Sequence, residues 1–395
     1  MNKLIIITTL VIISLINNSY AYTFGILSHD DTIKSIQNIE ENYKLTLPMI
    51  SFIRDNYGEQ EQHTLNTLPQ TLGTWKIYHI TVSPLNYTSK QVYQWYYDWE
   101  YSLFFKHVKK TNIKVIFRTM HEMNGGRYPW SGNPTSFKQA WRHIYQLSRE
   151  AGLDQSQILF DFSTNGWDMP VSGWWVANQS SQLIKCSIQT HQQTQCLRWE
   201  DYYPWDDVVN MVGVSFYNRG KATSNRKRYT PTQIMDEPDF MIWERLKSKN
   251  KPIIVDEVGT TSVRYTGSYN RDISLKYYTS DSGAVMKNIW LGQLATRAKD
   301  KKELAALNYF NVDRTMWLAW ENPWEADWSA IDLDYNRYYS SIMKLYQWWD
   351  QNLIKLFITP EQKKKEHIGI WSTKKTKKIK PNNTWSIISS KFNPQ

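Results

Sequence analysis

The sequence predicts an α/β fold, a single (β/α)8 TIM barrel with long loops after its strands. Strand-length apolar runs alternate with helix-length stretches, and two of those runs lead straight into a glutamate. The strands are expected near Tyr22 to Leu27, Leu47 to Ile53, Trp75 to Val82, Ile113 to Thr119, Ile158 to Ser163, Met211 to Tyr217, Pro252 to Val258 and Thr315 to Trp320. Helices are expected over Asp31 to Tyr43, Lys90 to Lys110, Ser136 to Ala151, Thr232 to Lys249, Ile289 to Leu307 and Tyr338 to Leu356. Catalytic groups of such barrels sit at the carboxyl ends of the strands. In this reading Glu122 closes the fourth strand and Glu257 the seventh. The longest excursions, Asn165 to Tyr203 and Asn218 to Pro231, are rich in Trp, Tyr, Ser and Asn, as loops that build a binding site are.

The ends of the chain read differently from its middle. Lys3, the apolar stretch Leu4 to Ile16 and Ser19-Tyr-Ala21 have the layout of a secretory signal, so residues 1–21 are expected to be removed and the protein to be secreted or periplasmic. That stretch is too short to span a bilayer comfortably, and no later run supplies about 20 apolar residues. Residues 22–358 are expected to form the barrel. After Pro360 the composition shifts to Lys, Thr, Ser and Asn, which sets off 359–395 as a basic tail. Nine lysines against two glutamates give that tail +7 of the net +10, so the body is close to neutral and nucleic-acid binding by it has little support.

Cysteine occurs only at Cys186 and Cys196. In an oxidising compartment they are expected to form one disulfide closing a short loop, the alternative being two free thiols. The chain is rich in aromatics, with 20 Trp and 25 Tyr. Flat amphipathic rings suit a wet cleft on which sugar rings stack, although part of the excess must be core.

Two carboxyls at strand tips on one barrel suit glycoside hydrolysis, in which one group protonates the leaving oxygen and the other attacks or stabilises the sugar cation. A zinc helix is rejected for His121-Glu122, because Gly125 stands where the second histidine of His-Glu-x-x-His belongs and the preceding run is strand-like. No Gly-rich phosphate loop and no Gly-x-Ser-x-Gly elbow is present in the sequence. No cofactor and no metal is expected.

His121-Glu-Met-Asn-Gly125 followed by Tyr128-Pro-Trp130 resembles the acid/base segment of glycoside hydrolase family 26, which comprises β-mannanases and related β-glycanases. Tyr203-Pro-Trp-Asp-Asp207 leading into Val212 to Tyr217, Lys251 to Gly259 and Trp317-Leu-Ala-Trp320 agree with it in order. The resemblance extends over roughly Tyr22 to Leu356. It implies a retaining mechanism with Glu122 as general acid/base and Glu257 as nucleophile. His121, Asn124, Arg127, Trp130, Asn165, Tyr217 and Trp320 would bind substrate, Tyr217 by donating its phenol to Glu257.

Three positions depart from the family pattern. Arg127 replaces a stacking Trp, Trp205 replaces the glycine of Tyr-Pro-Gly-Asp, and Ser215 replaces a strand 6 aspartate. Arginine at that place suits an acidic or substituted polysaccharide. The sequence thus points to an exported, monomeric, endo-acting enzyme with a polysaccharide partner, β-1,4-mannan being the default. A β-1,3/1,4-glucanase, a β-xylanase, an exopolysaccharide hydrolase or a non-catalytic polysaccharide-binding barrel are the alternatives.

Overall fold

The computed structural model describes residues 22–28, 33–54, 59–168, 197–218, 229–236, 241–260, 263–265, 277–279, 281–312, 339–346 and 352–357. All of them lie in one compact unit that ends at Phe357. The expected signal segment, Cys186, Cys196, the eighth expected strand at Thr315 to Trp320 and the basic tail lie outside the described residues.

Eight parallel strands close into a barrel: β1 (Thr23–Ser28), β2 (Met49–Arg54), β3 (Ile77–Val82), β4 (Lys114–Thr119), β5 (Ile158–Asn165), β6 (Met211–Asn218), β7 (Ile253–Thr260) and β10 (Leu304–Asn311). Each pairs with its sequence neighbour, and β10 closes the ring between β7 and β1. A short antiparallel pair, β8 (Val263–Tyr265) and β9 (Tyr277–Thr279), stands apart from the barrel sheet. Among the described residues no helix is long and apolar enough to cross a membrane.

The first seven strands lie where the sequence predicts them, and the closing strand does not. The run Leu304–Asn311, expected as the end of a helix over Ile289 to Leu307, is that closing strand, and the helix runs over Asp281–Lys299 instead. Leu304-Ala-Ala-Leu has strong helix propensity, but a barrel lacking one strand would leave the edges of β1 and β7 unpaired, and tertiary pairing overrides local preference. A helix over Glu59–Thr71 is absent from the sequence-based expectation; its sequence is largely polar and holds Pro69, and it is anchored by buried Leu65 and Leu68. Two expected helices are interrupted. Ser89–Tyr93 and Asp98–Thr111 are separated at Trp95, whose φ is +74°, and Ile242–Lys247 begins after Met241 at φ +45°.

Strand alternation sorts the side chains into an outer set that packs on the helices and an inner set that fills the barrel in tiers. The lowest tier is aliphatic: Met49, Ile77, Ile116, Leu159, Met211, Ile254 and Ala306, packed with Leu353 of the turn at Asn352–Leu356 and with Phe357 just after it. Two residues further along each strand the interior becomes polar. Ser51, His79, Arg118, Asp161, Asp256 and Asn308 are buried there, none of them more than 1% exposed.

Candidate active site

Two buried glutamates reach the carboxyl end of the barrel from different strands. Glu122 follows β4 in a left-handed conformation with φ +52°, two residues after Met120 at φ +42°. Such conformations cost non-glycine residues roughly 1–3 kcal/mol and persist where surrounding contacts impose them. Here the Glu122 amide donates to Ser163 O at 2.9 Å, and the Gly125 amide donates to Glu122 O at 2.8 Å, which fixes the turn Met123–Gly125. The Glu122 carboxyl accepts from Asn165 Nδ2 at 3.0 Å and from the Arg127 guanidinium on the same oxygen, Oε2.

Glu257 is positioned by a β-bulge. β6 pairs Val214 with Val255 but Ser215 with Glu257, so Asp256 is an extra residue in β7. An extra residue locally cancels the alternation of a strand and re-aims the side chains beyond it. Asp256 and Glu257 therefore both face the barrel interior, although they are consecutive, at 0% and 7% exposure. Glu257 accepts from the Arg118 guanidinium at Oε1 and from the Tyr217 phenol at Oε2.

Arg118 is the centre of the arrangement. Fully buried on β4, it donates from Nε to Ser163 Oγ at 2.8 Å and from Nη2 to Ser215 Oγ at 2.8 Å, besides its contact with Glu257. Burial would lower its pKa, but the charges of Glu257, Asp256 and Glu122 outweigh that and raise it, so the guanidinium is a permanent cation. Ser215, where the family pattern has an aspartate, takes part as a neutral acceptor.

Beneath it, His79 Nε2 lies 3.3 Å from Asp256 Oδ1 and 3.8 Å from Asp161 Oδ2, and Ser51 Oγ is 2.8 Å from His79 Nδ1. Burial pushes the imidazole down, yet the two carboxyls raise it above its ordinary value. Burial and the charge of Asp256 hold Asp161 well above the usual carboxylate range, so Asp161 is the neutral member. Burial opposes ionisation of Asp256, but His79 and Arg118 keep it below that range and it is the anion. Gly213 is required here, since a Cβ would stand 2.0 Å from Asp256 Oδ2 and 2.6 Å from Asp161 Oδ1. His79, Asp161 and Asp256 also have a spacing that could hold a cation, one ligand atom of each lying within 4.8 Å of the others. Arg118 Nε, 3.9 Å from Asp256 Oδ2, already supplies positive charge there.

The other expected residues take supporting places. His121 Nε2 is 3.0 Å from Tyr128 Oη, and burial together with the charges of Arg118, Arg127 and His79 holds its imidazole well below its ordinary range. Trp130 is fully buried, donates to His121 O at 2.8 Å and stacks on Tyr128 with ring centroids 4.6 Å apart, so it braces the site from behind and has no face to offer a sugar. Asn124 Nδ2 donates to Asp168 Oδ1 at 2.9 Å and Asn124 Oδ1 accepts from the Asn165 amide at 2.8 Å. Arg127, about half-exposed, lies between Glu122 and the Tyr128 ring, 5.4 Å from its centroid. Trp205 is exposed at φ +75°, the backbone conformation for which the glycine of the family pattern is suited. Trp320 lies outside the described residues.

Arg118, His79, Asp161 and Asp256 are functional positions that sequence reasoning did not single out. Arg118 carried a legible signal, a cation directly after the apolar run Val115–Phe117 of its strand.

The region that carries Glu122, residues 100–178, matches the family described as glycosyl hydrolase family 26. Over that stretch the chain is similar to that family. Endoglucanase H of Acetivibrio thermocellus is 24% identical over 163 residues, a stretch that covers 40% of this chain and 15% of that much longer protein. A solved structure of GH26C from a Muricauda species superposes with a TM-score of 0.51 at 11% identity, covering 87% of this chain and 90% of that one. A structure of fungal β-1,4-galactanases gives 0.50 at 10% identity, covering 83% and 99%. At such identities the likeness is one of fold.

Proposed function

We propose that the protein is an exported, retaining, endo-acting glycoside hydrolase of β-linked polysaccharide, with β-1,4-mannan as the default substrate by family resemblance. The observation that carries the reading is the pair of buried glutamates that follow β4 and lie in β7, each with its own donors and both acting on the Arg118 cation. A protein that only bound glycan would have no use for two such carboxyls.

In this reading Glu122 protonates the glycosidic oxygen while a Glu257 oxygen attacks the anomeric carbon; the C–O bond to the leaving sugar breaks and a glycosyl ester forms. Glu122 then takes a proton from water, whose oxygen displaces Glu257 and restores the starting configuration. Arg118 and Tyr217 orient Glu257 for attack, and Asn165 orients Glu122. Glu257→Ala is expected to lose activity by on the order of 10⁴-fold or more. Azide should rescue it as a glycosyl azide of inverted configuration, whereas Glu122→Ala should keep activity on substrates with good leaving groups. A reversed pattern of rescue would exchange the two roles.

Arg127 favours a second reading of the substrate, a glycan with an anionic group beside the cleaved bond, since its guanidinium is half-exposed next to Glu122. Arg127→Trp should then raise activity on unsubstituted mannan relative to acidic polysaccharide. An unchanged ratio would remove this reading.

A further inference from the structure

Four large aromatic side chains stand in solvent within one short stretch: Tyr93, Trp95, Tyr96 and Trp99, exposed by 43%, 70%, 60% and 65%. Singly exposed rings are ordinary, but a cluster of this kind marks a binding surface. The topology puts it at the same end of the barrel as Glu122. The helix Asp98–Thr111 ends just before the amino end of β4, so its first residues, and the short helix Ser89–Tyr93 that follows β3, lie at the carboxyl end.

Trp95 is held against its own backbone preference. At φ +74° it occupies a conformation that glycine adopts freely, and amides bond back around it, Trp95 N to Val92 O at 3.1 Å and Tyr96 N to Gln91 O at 3.2 Å. A strained residue whose ring is buried gains packing in return; this ring is mostly in water. Strain that brings no packing points to a ligand.

The chemistry of the surroundings narrows the ligand. The stretch that carries these rings holds one lysine, Lys90, against two carboxylates, Asp98 and Glu100, with Asp98 bonded to His143 at 2.7 Å, so it brings no excess of positive charge for a phosphate backbone or an anionic membrane. Indoles and phenols present flat apolar faces with polar edges, which match the faces and hydroxyl rims of neutral sugar rings. We propose that Trp95, Tyr96 and Trp99 form a ledge that holds a strand of neutral β-glycan outside the catalytic cleft. This rests on the reading of that cleft as a polysaccharide hydrolase, and it extends the glycan contact beyond the reacting sugars.

The test is a depletion assay on insoluble β-1,4-mannan and microcrystalline cellulose, with Glu257→Ala in every protein so that the polymer stays intact. Trp95→Gly removes the ring and relieves the backbone, so its thermal midpoint should equal or exceed that of the parent. Its affinity for at least one polymer should fall by about tenfold or more, and that of Trp95→Gly combined with Trp99→Ala further. Unchanged affinity, or no binding by the parent to either polymer, overturns the proposal. A midpoint lowered by several degrees would assign Trp95 to the fold, and a dimer broken by Trp95→Gly would assign the ledge to a second copy; either result also overturns it. An enzyme active on polymer whose Trp95→Gly variant binds normally loses only the ledge. A parent chain with both glutamates that binds through the ledge and hydrolyses nothing loses only the hydrolase reading.

Discussion

The lowest tier of the barrel interior and the tier above it are built from the same strands at positions two residues apart, yet they follow opposite chemistry. Below, Met49, Ile77, Ile116, Leu159, Met211, Ile254 and Ala306 make a dry aliphatic plug. Above, His79, Arg118 and Asp256 are equally dry but charged, with the neutral Asp161 beside them. An aliphatic layer stabilises by apolar burial and tolerates repacking, while a buried charge is tolerable only when each partner is present. This barrel is therefore stabilised from beneath and made reactive from above, with the charged tier as the floor of the site.

The largest effect is expected from removing the anion of the upper tier. Asp256→Ala should leave His79 without its anionic partner and Arg118 with Glu257 alone, and cost about 3–5 kcal/mol in urea unfolding. It should also lower turnover by releasing Arg118 from its fixed place beside Glu257. A cost under about 1 kcal/mol would mean that water reaches the tier and that the layers do not differ as described.

In the lower tier, Ile254→Ala should open a cavity and cost about 2–4 kcal/mol while leaving kcat nearly unchanged, because no polar contact of the site depends on it. A loss of kcat larger than the loss of stability would show that the plug also sets the geometry above. The third substitution, Asp161→Asn, exchanges a neutral acid for an amide of the same shape. Stability should change by less than about 1 kcal/mol. If it costs as much as Asp256→Ala, Asp161 is an anion and the charge assignment fails.

The smallest effect is one of sign. His79 is raised in the folded state, so its contribution is fully present below its unfolded value of 6.5 and is lost as pH rises through its folded value. His121 is lowered, so the unfolded chain takes up a proton that the folded one refuses, and stability falls as pH drops below 6.5. Thermal midpoints between roughly pH 5 and 8 should therefore fall less steeply towards acid in His121→Gln than in the parent, and less steeply towards base in His79→Gln. Equal slopes in all three proteins would contradict both assignments.

Much of this is legible in the chain. Seven strands stand out as apolar runs, and both glutamates stand at their ends because a charged side chain closing such a run has to reach a rim. The features that are not legible depend on pairing. Leu304–Asn311 looks helical until β1 and β7 need a neighbour. Asp256 looks outward-facing until the bulge is known, since alternation would turn it to the opposite side from Glu257. Trp130 is expected to bind substrate from the motif it stands in, and only the structure shows it buried against His121 and Tyr128 with no face exposed.

The bulge in β7 has a consequence for heredity as well as for chemistry. One additional residue makes Pro252–Thr260 a self-contained cassette that delivers two acids to two depths of a barrel from a single strand. Losing that residue would delete Asp256 and leave Glu257, still opposite Ser215, as the single acid of the pair facing the interior. Alignments of relatives that slide this segment by one place would match the wrong acid, so the count of residues between Val255 and Gly259 is as diagnostic as the residues themselves.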